Sequence, residues 1–182
     1  MPFGRGIKAE DFEEAALPHL NDLYRTAARL VGGRTEAEDL VQETYLQAWK
    51  CFHRFQTGTN CRAWLFKILL NKINHHRRRW FKLIKETEDA LEGLAYEPPI
   101  PEHLCDEDVL RALEKIPQHY REAILLTDVQ EFSYKEVAFI LKVPIGTVMS
   151  RLSRGRRLLR VALTKVAESY GIKGVDKEEK QG

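Results

Sequence analysis

The sequence predicts an all-α fold, two small helical units joined by an extended acidic linker, and three observations carry that expectation. Apolar residues recur at three- and four-residue intervals through most of the chain, the period of helices with one buried face. Strand signals are nearly absent. From residue 86 to 108 the periodicity gives way to acids and to Pro98, Pro99 and Pro101, with no Lys or Arg, which is the composition of a connector. The 182 residues leave room for one or two domains, and an apolar content of 43% is ordinary for a soluble globular chain. The units fall at residues 10–85 and 108–168, with the linker over 86–107 and a flexible tail over 169–182.

In the first unit, residues 11–31 place Phe12, Ala16, Leu20, Leu23, Tyr24, Ala27, Ala28 and Leu30 at helical spacing, with Pro18 interrupting an early turn and Gly32-Gly33 ending the run. Thr35 precedes Glu38 by three residues, the spacing of a capping box, so a second helix starts there. One face of it, Val41, Tyr45, Ala48, Trp49 and Phe52, is expected in the core. The other holds Asp39, Gln42, Glu43, Leu46 and Lys50. A leucine framed by acids and an amide suits a docking surface for a basic partner, and suits a plain solvated face as well.

Residues 55–61, FQTGTNC, form a loop of turn formers and small hydrogen-bonding side chains. It feeds a helix over 62–80 whose apolar stripe is Trp64, Leu65, Ile68, Leu69 and Ile73, with Lys67, Asn71, Lys72, His75, Arg78 and Arg79 in more polar directions. A polar loop beside a basic, aromatic-bearing helix can hold single-stranded bases, which need stacking surfaces and edge-reading amides while the strand needs cations. The Trp64 ring itself is assigned to packing, and Trp80 and Phe81 fit either role.

In the second unit, Val109, Leu110, Leu113, Ile116, Tyr120, Ile124, Leu125 and Leu126 make two short helices broken by Pro117. Ser133 and Glu136 form an S-x-x-E capping box for a third, which buries Val137, Ile140 and Leu141 and stops near Pro144 and Gly146. Thr147 is expected to cap a fourth. There Val148, Leu152, Gly155, Leu159 and Ala162 share an inward stripe, while at about 100° per residue Ser150, Ser153, Arg154 and Arg157 point outward, flanked by Met149, Arg151 and Arg156.

Two helices around a short turn, the second presenting Ser and Arg, match a helix-turn-helix whose second helix enters the DNA major groove. Arg can fork onto guanine O6 and N7, Ser can donate or accept at several base edges, and further Arg residues can hold phosphates. The competing reading is a solvated basic face. Against it, seven bases and no acid lie between Glu136 and Glu168, whereas a face built for solubility mixes signs.

The net charge of +2 hides this asymmetry, since residues 72–85 alone carry six bases and no acid. Three cysteines, Cys51, Cys61 and Cys105, without C-x-x-C spacing argue for a reducing cytoplasm and against a disulfide framework or a zinc site. No apolar run approaches about 18 residues, so neither a signal peptide nor direct membrane insertion is expected. No nucleophile–base spacing, glycine-rich phosphate loop or H-E-x-x-H pattern points to an enzyme, and no cofactor is implied. These residue patterns alone leave open a free-standing helix-turn-helix regulator, its N-terminal half sensing a ligand or partner.

The run DLVQETYLQAW, then FQTGTNCRAWLFKILLNKINHHRRR, the acidic linker, and LEKIPQHYREAILLTDVQEFSYKEVAFILKVPIGTVMSRLSRGRRLL together resemble the extracytoplasmic-function sigma factors of the sigma-70 family, over roughly residues 10–165. These are initiation subunits of bacterial RNA polymerase that keep two domains, sigma2 and sigma4. The resemblance implies promoter recognition and DNA melting in response to stress or envelope signals, with core polymerase (β′ and β subunits), promoter DNA and an anti-sigma factor as partners. It implies core-polymerase docking through Asp39, Gln42, Glu43 and Leu46. It implies −10 recognition through Phe55, Thr57, Thr59, Asn60, Lys67, Asn71, Lys72 and Arg78, with Asn71 where the family commonly has a base-contacting Asn. It implies −35 recognition through Thr147, Ser150, Arg151, Ser153, Arg154, Arg156 and Arg157. Met149 and Ser153 depart from relatives that carry Arg and an aromatic residue there.

Overall fold

The computed structural model describes residues 9–56, 58–87 and 104–169, and every regular element among them is helical. The linker expected over 86–107 lies mostly outside the described residues, as does the tail beyond Ser169. Two four-helix units result. The first consists of α1 (Ala9–Ala16), α2 (Leu20–Val31), α3 (Arg34–Cys51) and α4 (Cys61–Thr87). The second consists of α5 (Leu104–Glu114), α6 (Gln118–Ile124), α7 (Tyr134–Leu141) and α8 (Ile145–Ser169).

Pro18 interrupts the first helical run as expected, setting a 3-10 turn over Leu17–His19 between α1 and α2. The Tyr45 hydroxyl locks that bend by donating to the Ala16 carbonyl at 2.8 Å, and burial pushes its ionisation up to about 12. Gly32 ends α2 in the left-handed region at φ 76°, where a side chain would be strained. Leu23, Leu65, Phe66, Leu69, Leu70 and Ile73 are fully buried, each contributing about 1.5–3 kcal/mol against exposure.

Three sequence expectations change. The N-cap of α3 is Gly33, without a side-chain cap, so Thr35 lies inside the first turn and Glu38 accepts from Arg34 instead. The α3 core face runs through Ala37, Leu40, Val41, Thr44 and Ala48, while Trp49 stays 40% exposed, leaning edge-on against Phe12 at 5.2 Å. Thr44 was missed as a core residue because it is polar; its hydroxyl satisfies itself by donating to the Leu40 carbonyl. Finally, α8 begins at Ile145, since the Thr147 and Val148 amides already donate to the Pro144 carbonyl. Thr147 is thus a first-turn residue rather than a cap.

Pro117 separates α5 from α6. A π-helical turn over Leu125–Val129 follows α6, closed by the Gln130 amide on the Leu125 carbonyl and the Phe132 amide on the Leu126 carbonyl. The two units pack on each other through Phe66 of α4 and Phe132, whose rings meet edge-on at 5.0 Å.

Candidate nucleic-acid interface

The second unit builds its helix-turn-helix from local chemistry. Both halves of the Ser133–Glu136 capping box are present: Ser133 Oγ accepts the Glu136 amide, and Glu136 Oε2 accepts the Ser133 amide at 2.8 Å. These bonds hold the Glu136 carboxyl below its ordinary range. The turn after α7 places Lys142, not Gly146, in the left-handed region at φ 56°. The inward stripe of α8 is as expected for Val148, Leu152 and Gly155. A methyl group at Gly155 would meet Ile124 Cδ1 at 3.0 Å and Tyr120 Cβ at 3.1 Å, so the glycine is what lets α6 lie against α8.

On the opposite face Ser150, Ser153, Arg154 and Arg157 are exposed, beside Met149. Thr147 and Arg151 are half-buried at the edge. Arg156 turns away from that face and holds Asp128 of the π-helical turn through two bonds, which push its ionisation higher still. The chemistry available is therefore two hydroxyls and two free-swinging guanidiniums on the outer side of one helix, a set suited to base edges and phosphates in a groove.

The first unit offers a different surface. Phe55 stacks on Phe52 at 5.6 Å and lies 5.2 Å from Trp64, a half-buried aromatic shelf under the loop. Thr59 donates to the Gln56 carbonyl, and Asn60 Oδ1 accepts the Ala63 amide, capping the first turn of α4. Thr57 is outside the described residues. Further along, Glu43, Lys67, Asn71, Lys72, His75 and Arg79 line a groove of about 670 Å³ between α3 and α4. Lys72 bridges it to Glu43 at 3.1 Å, and Arg78 is exposed near its end. The docking stripe is the adjoining face: Asp39, Gln42, Glu43 and Leu46 are all exposed, Leu46 by 60%. Gln42 and Leu46 also border an apolar groove with Phe12, Leu17, Leu20 and Trp49.

Three polar residues that the sequence reading passed over stand at the centre of the molecule. Arg62 of α4 donates to Asp22 at 3.2 Å, to the Gln130 carbonyl at 2.8 Å and to the Gln130 side chain, with its guanidinium 4.5 Å from the Phe132 ring centroid. Gln130 in turn donates to buried Thr26. Glu122 is buried on α6, accepts from Gln118, and has its carboxyl pushed up by that burial. Only a charged residue opening an otherwise apolar helix could have flagged Arg62. Among the described residues, no group of three or more His, Cys, Asp or Glu side chains could hold a metal ion. No helix there is long and apolar enough to cross a membrane.

The chain matches sigma-70 region 2 over residues 16–81 and sigma-70 region 4 over residues 106–159. It is 38% identical to the ECF RNA polymerase sigma factor EcfG of Rhodopseudomonas palustris, covering 86% of each chain. It is 33% identical to the ECF sigma factor SigE of Mycolicibacterium smegmatis, over 90% of this chain and 69% of that one. The co-crystal structure of the sigma factor RpoE with the anti-sigma factor NepR from Bartonella quintana superposes with a TM-score of 0.75 at 34% identity, covering 86% of this chain and 98% of that one. The alternative of a free-standing regulator gives way, because both halves match one family in the right order. The chain with an open helix-turn-helix at one end and an aromatic, basic groove at the other belongs to the extracytoplasmic-function sigma factors of the sigma-70 family, and is an initiation subunit of bacterial RNA polymerase.

Proposed function

We propose that this sigma factor divides its work among three surfaces. Asp39, Gln42, Glu43 and Leu46 dock on the coiled-coil segment of the β′ subunit, the carboxylates steering toward a basic partner and Leu46 supplying apolar contact. The shelf of Phe55 and Trp64, with Thr57, Thr59, Asn60, Lys67, Asn71, Lys72 and Arg78, captures a base extruded from the −10 element. Trapping that base offsets an unstacking cost of a few kcal/mol and so drives melting. Ser150, Ser153, Arg154 and Arg157 read the −35 element, with Thr147 and Arg151 at the edge of the contact and Arg156 reaching a phosphate if it leaves Asp128. The polymerase supplies catalysis, and this chain supplies address.

The observation that carries this reading is the exposed Ser and Arg face of α8, held outward by an inner stripe that includes the close approach at Gly155. Two weak readers held on one machine act jointly through effective concentration. The relatives whose structures contain NepR or CnrY support regulation of this chain by an anti-sigma factor in the cytoplasm. Transcription in vitro with purified core enzyme on a library of promoter variants tests the reading; expected are start sites that depend on two separated sequence blocks. Charge reversal of Asp39 and Glu43 to Arg is expected to abolish co-purification with core polymerase, and intact binding removes the docking assignment.

A further inference from the structure

The residues assigned to −10 reading are engaged by the second unit of the same chain. Asn60 uses both ends of its amide: Oδ1 caps α4, and Nδ2 donates to Glu136 Oε1 in the first turn of α7. The Lys67 ammonium sits 3.5 Å from the Phe139 ring centroid, half-buried, and desolvation with Lys142 nearby holds it below its ordinary value. Behind them Arg62, Phe66 and Thr26 grip Gln130 and Phe132. Gln118 of α6 donates to Asn74 of α4 at 3.2 Å. The segment that delivers this grip is strained: Glu131, between Gln130 and Phe132, is a non-glycine residue at φ 56°. By contrast Asp39, Gln42, Glu43 and Leu46 on α3 are open in the same arrangement.

We propose that the free chain is self-masked for −10 reading but open for polymerase docking, with α7 and the preceding loop covering Asn60 and Lys67 until α3 has docked. An amide whose donor is already satisfied and an ammonium already desolvated over a ring are poor partners for a base or a phosphate. The cover also places the helix-turn-helix against the −10 reader, whereas a promoter presents its two elements apart along the duplex. Docking and closure use different faces of the first unit, so the order is docking first and opening second. Free closed chain then binds promoter DNA with an affinity reduced by the fraction that is open. This inference rests on the assignment of Asn60 and Lys67 to the −10 element, but its test does not.

The test uses the full chain, alone in solution, as wild type and as two variants on separate contacts. Phe139→Lys sets a cation against Lys67 at a position already 46% exposed, which protects folding. Gln130→Arg opposes Arg62 without touching Lys67. Small-angle scattering gives the radius of gyration, and brief acetylation followed by mass spectrometry gives the rate at Lys67 relative to exposed Lys50. Circular dichroism establishes that each variant is helical. A compact wild type is expected, with Lys67 acetylated about tenfold more slowly than Lys50 if roughly one molecule in ten is open. Both variants are expected to expand and to bring that ratio toward one. An expanded wild type, or a wild-type Lys67 as reactive as Lys50, overturns the proposal. Failure of the −10 assignment instead shows as promoter melting that survives Asn60→Ala and Lys67→Ala, whatever the scattering reports.

Discussion

The two DNA-facing surfaces of this sigma factor are presented in opposite ways. The α8 face is convex and stands in solvent: Ser150, Ser153, Arg154 and Arg157 project from a helix whose other side is seated on α6 and α7. The α4 corner is concave, a loop and a helix meeting around Phe55, Asn60, Trp64 and Lys67, and a concave polar corner can be filled by whatever complementary surface is tethered nearby. Here α7 fills it. Convex readers depend on the helix beneath them, while concave readers depend on what occupies them.

The largest perturbation of this contrast is Phe66→Ala. Phe66 is fully buried on α4 and its ring also meets Phe132, so truncation removes first-unit core and the seat of the second unit together. A loss of about 3–5 kcal/mol is expected in denaturant unfolding. A loss below about 1 kcal/mol in that experiment is incompatible with the packing described. Arg154→Ala tests the convex reader alone. If its guanidinium forks onto one guanine, about 1–3 kcal/mol is lost at one −35 base pair in a promoter library, with other positions unchanged. Uniform weakening across the library would place Arg154 on phosphate.

Gly155→Ala asks whether α8 depends on its seat. The added methyl gains about 1 kcal/mol of helix propensity but presses on Tyr120 Cβ and Ile124, and overpacking costs about 1–3 kcal/mol. The net expectation is a destabilisation of about 1 kcal/mol in thermal melting, with −35 binding reduced and Lys67 reactivity unaltered. A more stable variant would mean that the α6–α8 approach is looser than these distances.

The helix-turn-helix was legible because its signals are local: a capping box, a proline, and an inward stripe running through Val148, Leu152 and Gly155. The break at Pro18 and the exposed Leu46 were legible for the same reason. Where the sequence misled, competing local choices were close in energy. Thr35 and Gly33 are both acceptable N-caps, and the chain uses the one that lengthens α3. Pro144 starts α8 two residues before Thr147 because a helix tolerates proline at its beginning. The grip of Arg62 and Thr26 on Gln130 left no trace at all, since it joins residues 68 and 104 positions apart and no periodicity links them.

Glu136 is where the two surfaces meet, and its titration provides the smallest and most selective test. Its carboxyl is held below the ordinary value first by Ser133, then by Asn60 and Arg62. A depressed folded-state value means that the unfolded chain binds the proton more tightly. The stabilisation is therefore present above the ordinary carboxylate pKa of about 4.5 and is lost as pH falls through the lower folded value. Because the group is partly exposed, the effect on global stability is small. Glu136→Gln preserves the carbonyl that accepts from Asn60 but removes the titrating charge. In melting experiments between pH 7 and about 4, the wild type is expected to lose stability more steeply than the variant over the acidic end. The same scan read by Lys67 acetylation relative to Lys50 separates the two roles of this residue. If acid opens the wild type but not the variant, the charge holds the cover. If stability falls while the Lys67 ratio stays fixed, the charge serves only the cap of α7, and the −10 corner is kept closed by Phe132, Gln130 and Arg62.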